Sequence, residues 1–321
     1  MVRKLLCFLV AVLAAVAPVR AQQDYPNRPI RLVAPFPAGS TLDITGRIIG
    51  EQLAAALGTQ VIVENKPGAS GLLGSAVVAK APPDGYTLLL FTPSSMFSSI
   101  SLYSQMPFDP RKDLVPVAKV ANTDFVLISG NNFPVKTLQE FVALAKASPS
   151  KYTLGYKSLT AQLTVEWLKQ AADIDVRSIP YKDGAAAFVD LASGELSAMV
   201  EPVPSSIGQI KGGRVKPIAV SASQRSSALP DIPTMIESGF PGLDTSVEAV
   251  FYAPAGTPPA IIGRLHKEIS RIVQTDAVRQ KLAQVGMDAM TKTPEVLAQE
   301  AKEAPAKWGR IIKLANIPKV N

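Results

Sequence analysis

Thiol and imidazole chemistry are nearly missing from this chain. Its 321 residues include one cysteine, Cys7, and one histidine, His266. Cys7 lies inside an apolar N-terminal run, too early and in the wrong context for lipid attachment. Downstream of it no thiol remains for a disulfide framework or a cysteine nucleophile. One histidine and no later cysteine leave only carboxylates as strong ligands, which argues against metal catalysis. No metal and no cofactor are expected. A serine mechanism needs a base and an orienting group beside its nucleophile. His266, in Arg264-Leu265-His266-Lys267-Glu268, flanks an apolar helical stripe and reads as a surface or boundary residue. No G-x-S-x-G elbow occurs, and Gly68-Ala69-Ser70-Gly71 lacks the final glycine. Gly68 to Gly74 is neither a Walker loop nor a proper G-x-G-x-x-G, so close helix packing explains these glycines better than a phosphate does.

Long apolar runs and blocks of like charge are absent too. After the N-terminus no stretch approaches eighteen uncharged apolar residues, and no run reaches five like charges. Lys and Arg number 33 against 26 acids, a net charge of +7. That scattered excess suits anionic ligands or simply a solvated, faintly basic surface, and it makes nucleic acid an improbable partner. There is no internal repeat and no low-complexity tract.

The N-terminus carries an export signal. Arg3 and Lys4 precede the uncharged run Leu5–Ala17, followed by Pro18 and the small-residue site Val19-Arg20-Ala21. This pattern predicts a secretory signal peptide over residues 1–21, cleaved near Ala21, and a soluble product beyond the inner membrane. Removal of Arg3, Lys4 and Arg20 leaves a net charge of +4.

Strand and helix patterns alternate through the remainder. Strands are predicted at 29–34, 60–64, 86–91, 125–129, 152–156, 175–180, 196–200, 215–220 and 248–253. Helices are predicted at 43–57, 71–80, 137–147, 160–172, 184–193, 204–211, 258–274, 276–285 and 294–315, with Pro305 expected to kink or divide the last. Such alternation argues for the α/β class with parallel sheets. Extended segments near 120–125 and 245–250 are the places where the chain would cross between two lobes. A cleft beside such a hinge is where small ligands bind.

The first strand-to-helix turn is the most informative site candidate. Ala34-Pro35-Phe36-Pro37-Ala38-Gly39-Ser40-Thr41-Leu42-Asp43 follows Ile30-Arg31-Leu32-Val33 and opens an amphipathic helix. Free amides at a helix start suit a carboxylate or phosphate. Ser40 with Asp43 resembles a capping box, and Thr41 is an alternative N-cap. An acid beside an anion site repels the ligand, so Asp43 fits helix capping better than ligand contact. The similar turn Ala255-Gly256-Thr257-Pro258-Pro259 offers few donors, because its prolines carry no N–H. Ser94 and Ser95 follow the third strand at its C-terminal end, where open α/β sheets bind ligands. Serines are also common there for turn reasons alone.

These segments, taken in order, resemble the Bug family of periplasmic solute receptors, the extracytoplasmic binding proteins of tripartite tricarboxylate transporters. The resemblance runs through Tyr25-Pro26-Asn27-Arg28-Pro29-Ile30-Arg31, Pro35 to Asp43 and Val63-Glu64-Asn65-Lys66-Pro67-Gly68-Ala69. It continues through Lys80 to Leu88, Ile179-Pro180-Tyr181-Lys182, Ser226 to Thr234, Glu237-Ser238-Gly239 and Ala253 to Pro258. It implies a two-lobed type II periplasmic binding protein, each lobe a mostly parallel sheet flanked by helices, joined by two crossover strands. Lobe one would hold residues 22–123 and 248–321, and lobe two 124–247. The implied function is capture of a small organic acid, di- or tricarboxylic or related, for the membrane permease subunits of such a transporter. The receptor would work as a monomer. A sensor without its own permease shares the same fold and site, and an exported hydrolase is the distant alternative.

The implied contacts are Phe36, Ala38, Gly39, Ser40 and Thr41 from lobe one. From lobe two they are the loop after Gly155, with Tyr156, Lys157, Ser158 and Thr160, and the region of Tyr181, Asp183 and Gly184. The chain departs from the family pattern at three places. It has Gly39-Ser40 where two glycines are usual, and Ser95-Met96-Phe97 where a Thr-His pair is usual. Gly155 to Leu163 replaces a longer glycine-rich loop. Lys157 is placed to pair with a second ligand carboxylate, or else is a solvated lysine at the loop's edge. Tyr156 walls off the ligand or packs the strand end. Glu201 stands where the family often has a cleft-facing aspartate, ready to accept from a ligand hydroxyl or amine, or it is a turn carboxylate.

Overall fold

The computed structural model describes residues 25–182 and 184–314, together with Ile317 and Lys319. The leader peptide and Asp183, one of the predicted contacts, lie outside the described residues. Strands β1 (Ile30–Ala34), β2 (Val61–Asn65), β3 (Thr87–Phe91), β4 (Leu114–Thr123), β10 (Val247–Pro254) and β11 (Asp288–Ala289) form one sheet, in the order β11-β4-β10-β3-β1-β2. Strands β5 (Phe125–Gly130), β6 (Thr153–Tyr156), β7 (Arg177–Pro180), β8 (Ala198–Pro202) and β9 (Val215–Val220) form the second, in the order β7-β6-β8-β5-β9. Chain passes from the first sheet to the second between Thr123 and Phe125, and returns before Val247.

Most strands of each sheet run in one direction, as expected, and each sheet also holds reversed strands. β1, β2, β3 and β4 run one way and β10 and β11 the other, while β6, β7, β8 and β9 run one way and β5 the other. The crossing strands cause this. Continuous chain leaving one sheet through β4 and re-entering through β10 must travel both ways past the same hinge.

Helices α1 (Thr41–Leu57), α2 (Leu72–Ala79), α3 (Pro93–Leu102), α4 (Leu138–Ala147), α5 (Leu159–Ala172), α6 (Gly184–Ser193) and α7 (Val203–Lys211) intervene between strands. Helices α8 (Pro259–Val273), α9 (Asp276–Gln284) and α10 (Pro294–Leu314) complete the first lobe. α4 opens with the predicted capping box of Thr137 and Glu140. α10 runs through Pro305 as a single helix, so the proline does not divide it. Three elements fall outside the predicted ranges: the ten-residue β4, whose Pro116 argues against a central strand, the two-residue β11, and α3, whose serines read as a loop.

One apolar core fills the first lobe, with Leu32, Ile49, Phe91, Phe251 and Leu265 all fully buried or nearly so. Two smaller cores lie on either face of the second sheet, around Phe125 and Phe141 and around Ile128 and Met199. The glycines at the start of α2 serve packing. A Cβ on Gly71 would meet Phe91 at 2.5 Å, and one on Gly74 would meet the Lys66 carbonyl oxygen at 2.7 Å. His266 is a boundary residue whose Nδ1 lies 3.0 Å from the Val117 carbonyl oxygen.

Candidate functional site

Parallel strands end on the same side, so topology decides which loops meet. β1 and β3 are neighbours, and helices α1 and α3 therefore start side by side at their C-terminal ends. In the second lobe β6 lies between β7 and β8, which puts the starts of α5, α6 and α7 together. The two edges meet where Ser94 Oγ and Ser95 Oγ each lie 3.4 Å from Thr160 Oγ1. That separation is long for a hydroxyl hydrogen bond, so this is a contact between lobes and not a strong tie. Ser94 and Ser95 sit in the first turn of α3, whose N-cap is Thr92.

The first loop is braced from within. Gly39, at φ 80°, donates its amide to Asp43 Oδ2 at 2.8 Å. Asn65 Nδ2 donates to Asp43 Oδ1 at 2.9 Å, and Arg47 Nε to Asp43 Oδ2 at 3.1 Å. Asn65 also reaches the Phe36 carbonyl at 3.0 Å, stitching the loop to the end of β2. Burial alone would raise the Asp43 pKa, but the bonds from Arg47, Gly39 and Asn65 outweigh it and hold the carboxyl below its ordinary value.

This changes the predicted donor set. The Gly39 amide is taken by Asp43, the Ser40 amide by the Pro37 carbonyl at 3.2 Å, and the Asp43 amide by Ser40 Oγ at 3.3 Å. Asp43 is a brace, as its capping reading required, and its carboxylate has no capacity left to face a ligand. Among the described residues, no protein acceptor takes the amides of Ala38, Thr41 and Leu42. Leu42 was not singled out, although any second residue of a helix start has a free amide. Phe36 turns its ring down onto Phe91, with centroids 5.6 Å apart.

In the second lobe, three predicted contacts are structural in this arrangement. Gly155 lies inside β6, and a Cβ there would meet Leu196 at 2.8 Å and Met199 at 3.1 Å, so it is a packing glycine. Ser158 caps α5 by accepting from the Ala161 amide at 3.2 Å. Tyr181 donates its hydroxyl to Asp190 Oδ2 at 2.6 Å, and burial together with that acceptor pushes its pKa up to about 12. Tyr156 is half-buried against the core of the lobe, and burial, then the Glu166 charge, raises its pKa. The amides of Leu159 and Thr160 find no protein acceptor among the described residues.

The sequence leaves Lys157 as a ligand contact or a solvated lysine, and Glu201 as a ligand contact or a turn carboxylate. They are instead paired, with Lys157 Nζ 2.5 Å from Glu201 Oε1. The Glu201 side chain is 0 % exposed and that of Lys157 27 %. Neither Glu201 oxygen gains a well-directed hydrogen bond beyond this ionic contact. Gly184 lies alongside, since a Cβ there would sit 3.3 Å from Lys157 Nζ.

Sequence reasoning also missed a cavity of about 320 Å³ beside the hinge, between α3, β10 and α10. Tyr252, Glu248, Lys292 and Trp308 line it, and Ser94 is its one residue shared with the predicted site. Lys119 Nζ lies 2.5 Å from Glu248 Oε1, and Lys292 Nζ 3.2 Å from the same oxygen. Burial would raise the Glu248 pKa, but the two lysines outweigh it and hold it below its usual value. Among the described residues, no three His, Cys, Asp or Glu side chains are grouped to hold a metal ion.

The chain matches the family model described as the tripartite tricarboxylate transporter family receptor, over residues 45–317. It is 32 % identical to Protein BugT of Bordetella pertussis, across 95 % of this chain and 94 % of that protein. Among solved structures it is similar to R. palustris Rpa4515 with adipate, with a TM-score of 0.82 at 29 % identity, covering 92 % of this chain and 100 % of that one. MatC from Rhodopseudomonas palustris with bound malate gives a TM-score of 0.77 at 28 % identity, covering 90 % and 100 %. With its two lobes and facing strand ends, the chain has the type II periplasmic binding protein fold and belongs to the tripartite tricarboxylate transporter receptor family, whose members bind solutes and are not enzymes.

Proposed function

We propose that this protein is the exported receptor of a tripartite tricarboxylate-type transporter and takes up a small organic anion between its lobes. Lobe one would comprise residues 22–123 and 248–321, lobe two 124–247, and the leader would be removed near Ala21. The observation that carries this reading is the pair of unspent helix starts on facing edges: the Thr41 and Leu42 amides in one lobe, and those of Leu159 and Thr160 in the other. Each presents N–H groups and a positive helix end to one carboxylate. The adipate and malate in the two related structures are acids of the same class.

A ligand bonded to both lobes binds the closed state better than the open one and shifts the population towards it. The closed surface is then what the permease subunits recognise. A panel of organic acids tests capture. At a hundred times its dissociation constant, the cognate acid stabilises the folded chain by about 2.7 kcal/mol, readable as a thermal shift. Solution scattering must show compaction with that same acid, and a stabilising ligand without compaction removes the closure mechanism. Co-purification with membrane permease subunits separates a transport receptor from a stand-alone sensor.

A further inference from the structure

We infer that Glu201, through its hold on Lys157, sets the charge preference of the second-lobe wall and disfavours a second carboxylate on the ligand. The inference rests on the reading of the cleft as a carboxylate site and specifies which acids it takes: one carboxylate with a neutral remainder. Lys157 follows β6, Glu201 lies near the end of β8, and Gly184 opens α6 after β7. All three parallel strands of the lobe thus deliver a residue to one spot, beside the Thr160 contact with the other lobe.

The order of the two charges matters. Glu201 is wholly buried and Lys157 partly exposed, so the ammonium stands in front of the carboxylate. A second ligand carboxylate approaching Lys157 would also feel the Glu201 anion roughly 2–3 Å further back. Coulomb energy falls as the inverse of distance, so repulsion cancels about half of the attraction, and stripping water from the second carboxylate offsets what is left. Lys157 cannot turn away to serve the ligand either. Its departure would strand a buried anion whose oxygens have no other well-directed hydrogen bond. Removing the negative charge while keeping the shape should therefore release Lys157 as a free cation.

The test is calorimetric titration of the purified full chain with matched acids of four, five and six carbons: butyrate with succinate, pentanoate with glutarate, hexanoate with adipate. In the wild type the dicarboxylate of the best-bound pair should hold no affinity advantage. In Glu201→Gln the ratio of dicarboxylate to monocarboxylate affinity should rise at least about tenfold. The double variant Glu201→Gln with Lys157→Gln removes the cation as well, so its ratio should not exceed the wild-type one even if the single variant folds poorly. A wild-type preference for the dicarboxylate that collapses in the double variant would overturn the inference, as would an unchanged ratio in folded Glu201→Gln. Either result leaves the receptor reading standing. Failure of every acid to bind any folded version would remove both.

Discussion

Three donors converge on the Asp43 carboxylate, and truncating it strands the Gly39 amide and loosens the other two. Asp43→Ala leaves the Gly39 amide without its acceptor, while Asn65 Nδ2 keeps the Phe36 carbonyl and Arg47 keeps Asn65 Oδ1. A loss of about 2–3 kcal/mol is expected, measured by urea unfolding. Because its folded pKa lies below the unfolded one, this contribution is complete above roughly pH 4 and disappears as pH falls further. Lys157 and Glu201 are not equivalent to mutate. Lys157→Met abandons a fully buried anion and should cost about 3 kcal/mol or more. Glu201→Gln leaves a lysine that already reaches water, so its cost should be clearly smaller. Equal losses in the same unfolding measurement would mean that the pair is not asymmetrically buried.

Among the elements, α1 allows its donors to be removed almost without touching its stability. Thr41 is the first helical residue, and Ser40 before it has the extended backbone, φ −69° and ψ 159°, that proline demands of its predecessor. Thr41→Pro deletes one N–H from the proposed anion site while suiting the helix. Ligand affinity should fall about tenfold or more beyond Thr41→Ala, with little change in melting temperature. An equal affinity for both variants would take that amide out of the site.

How much of these elements could be read in advance depended on whether the cause was local. The Thr137–Glu140 cap, the alternation of strand and helix, and the crossing points all arise from neighbouring residues. α3 does not, for Ser94, Ser95, Ser98, Ser99 and Ser101 give poor helix propensity. It forms because Thr92 caps it, Met96, Phe97 and Leu102 bury one face, and Ser98 and Ser99 hydroxyls turn back to the Ser95 carbonyl. The Lys157–Glu201 pair joins positions 44 residues apart, and only the adjacency of β6 and β8 brings them together. The bracing of the first loop by Asn65 needed the same knowledge of which strands lie side by side.

For the molecule as a whole, the hinge carries a charge that folding resists. Asp124 lies between β4 and β5, and burial first, then the Asp288 and Asp244 charges, pushes its pKa up to about 7 against the partial relief of Lys119. A folded pKa above the unfolded one means the native state keeps its proton longer, so stability is lost as pH rises from about 4 to 7. Asp124→Asn should therefore be stabilising, and its advantage should grow by about 2–3 kcal/mol between pH 5 and pH 8 in paired thermal melts. An advantage independent of pH would place the carboxyl in a more solvated setting.

The last helix adds a constraint on how the molecule can move. α10 belongs to the first lobe, yet it rests along α5 of the second, with Lys307, Arg310 and Ile311 facing Trp167 and Gln170 across a shared hollow. The lobes thus touch along this flank as well as where Ser94 and Ser95 meet Thr160. A pivot on this flank would part α3 from the start of α5 while the far end of α5 stayed put, leaving solute one mouth by which to enter and leave.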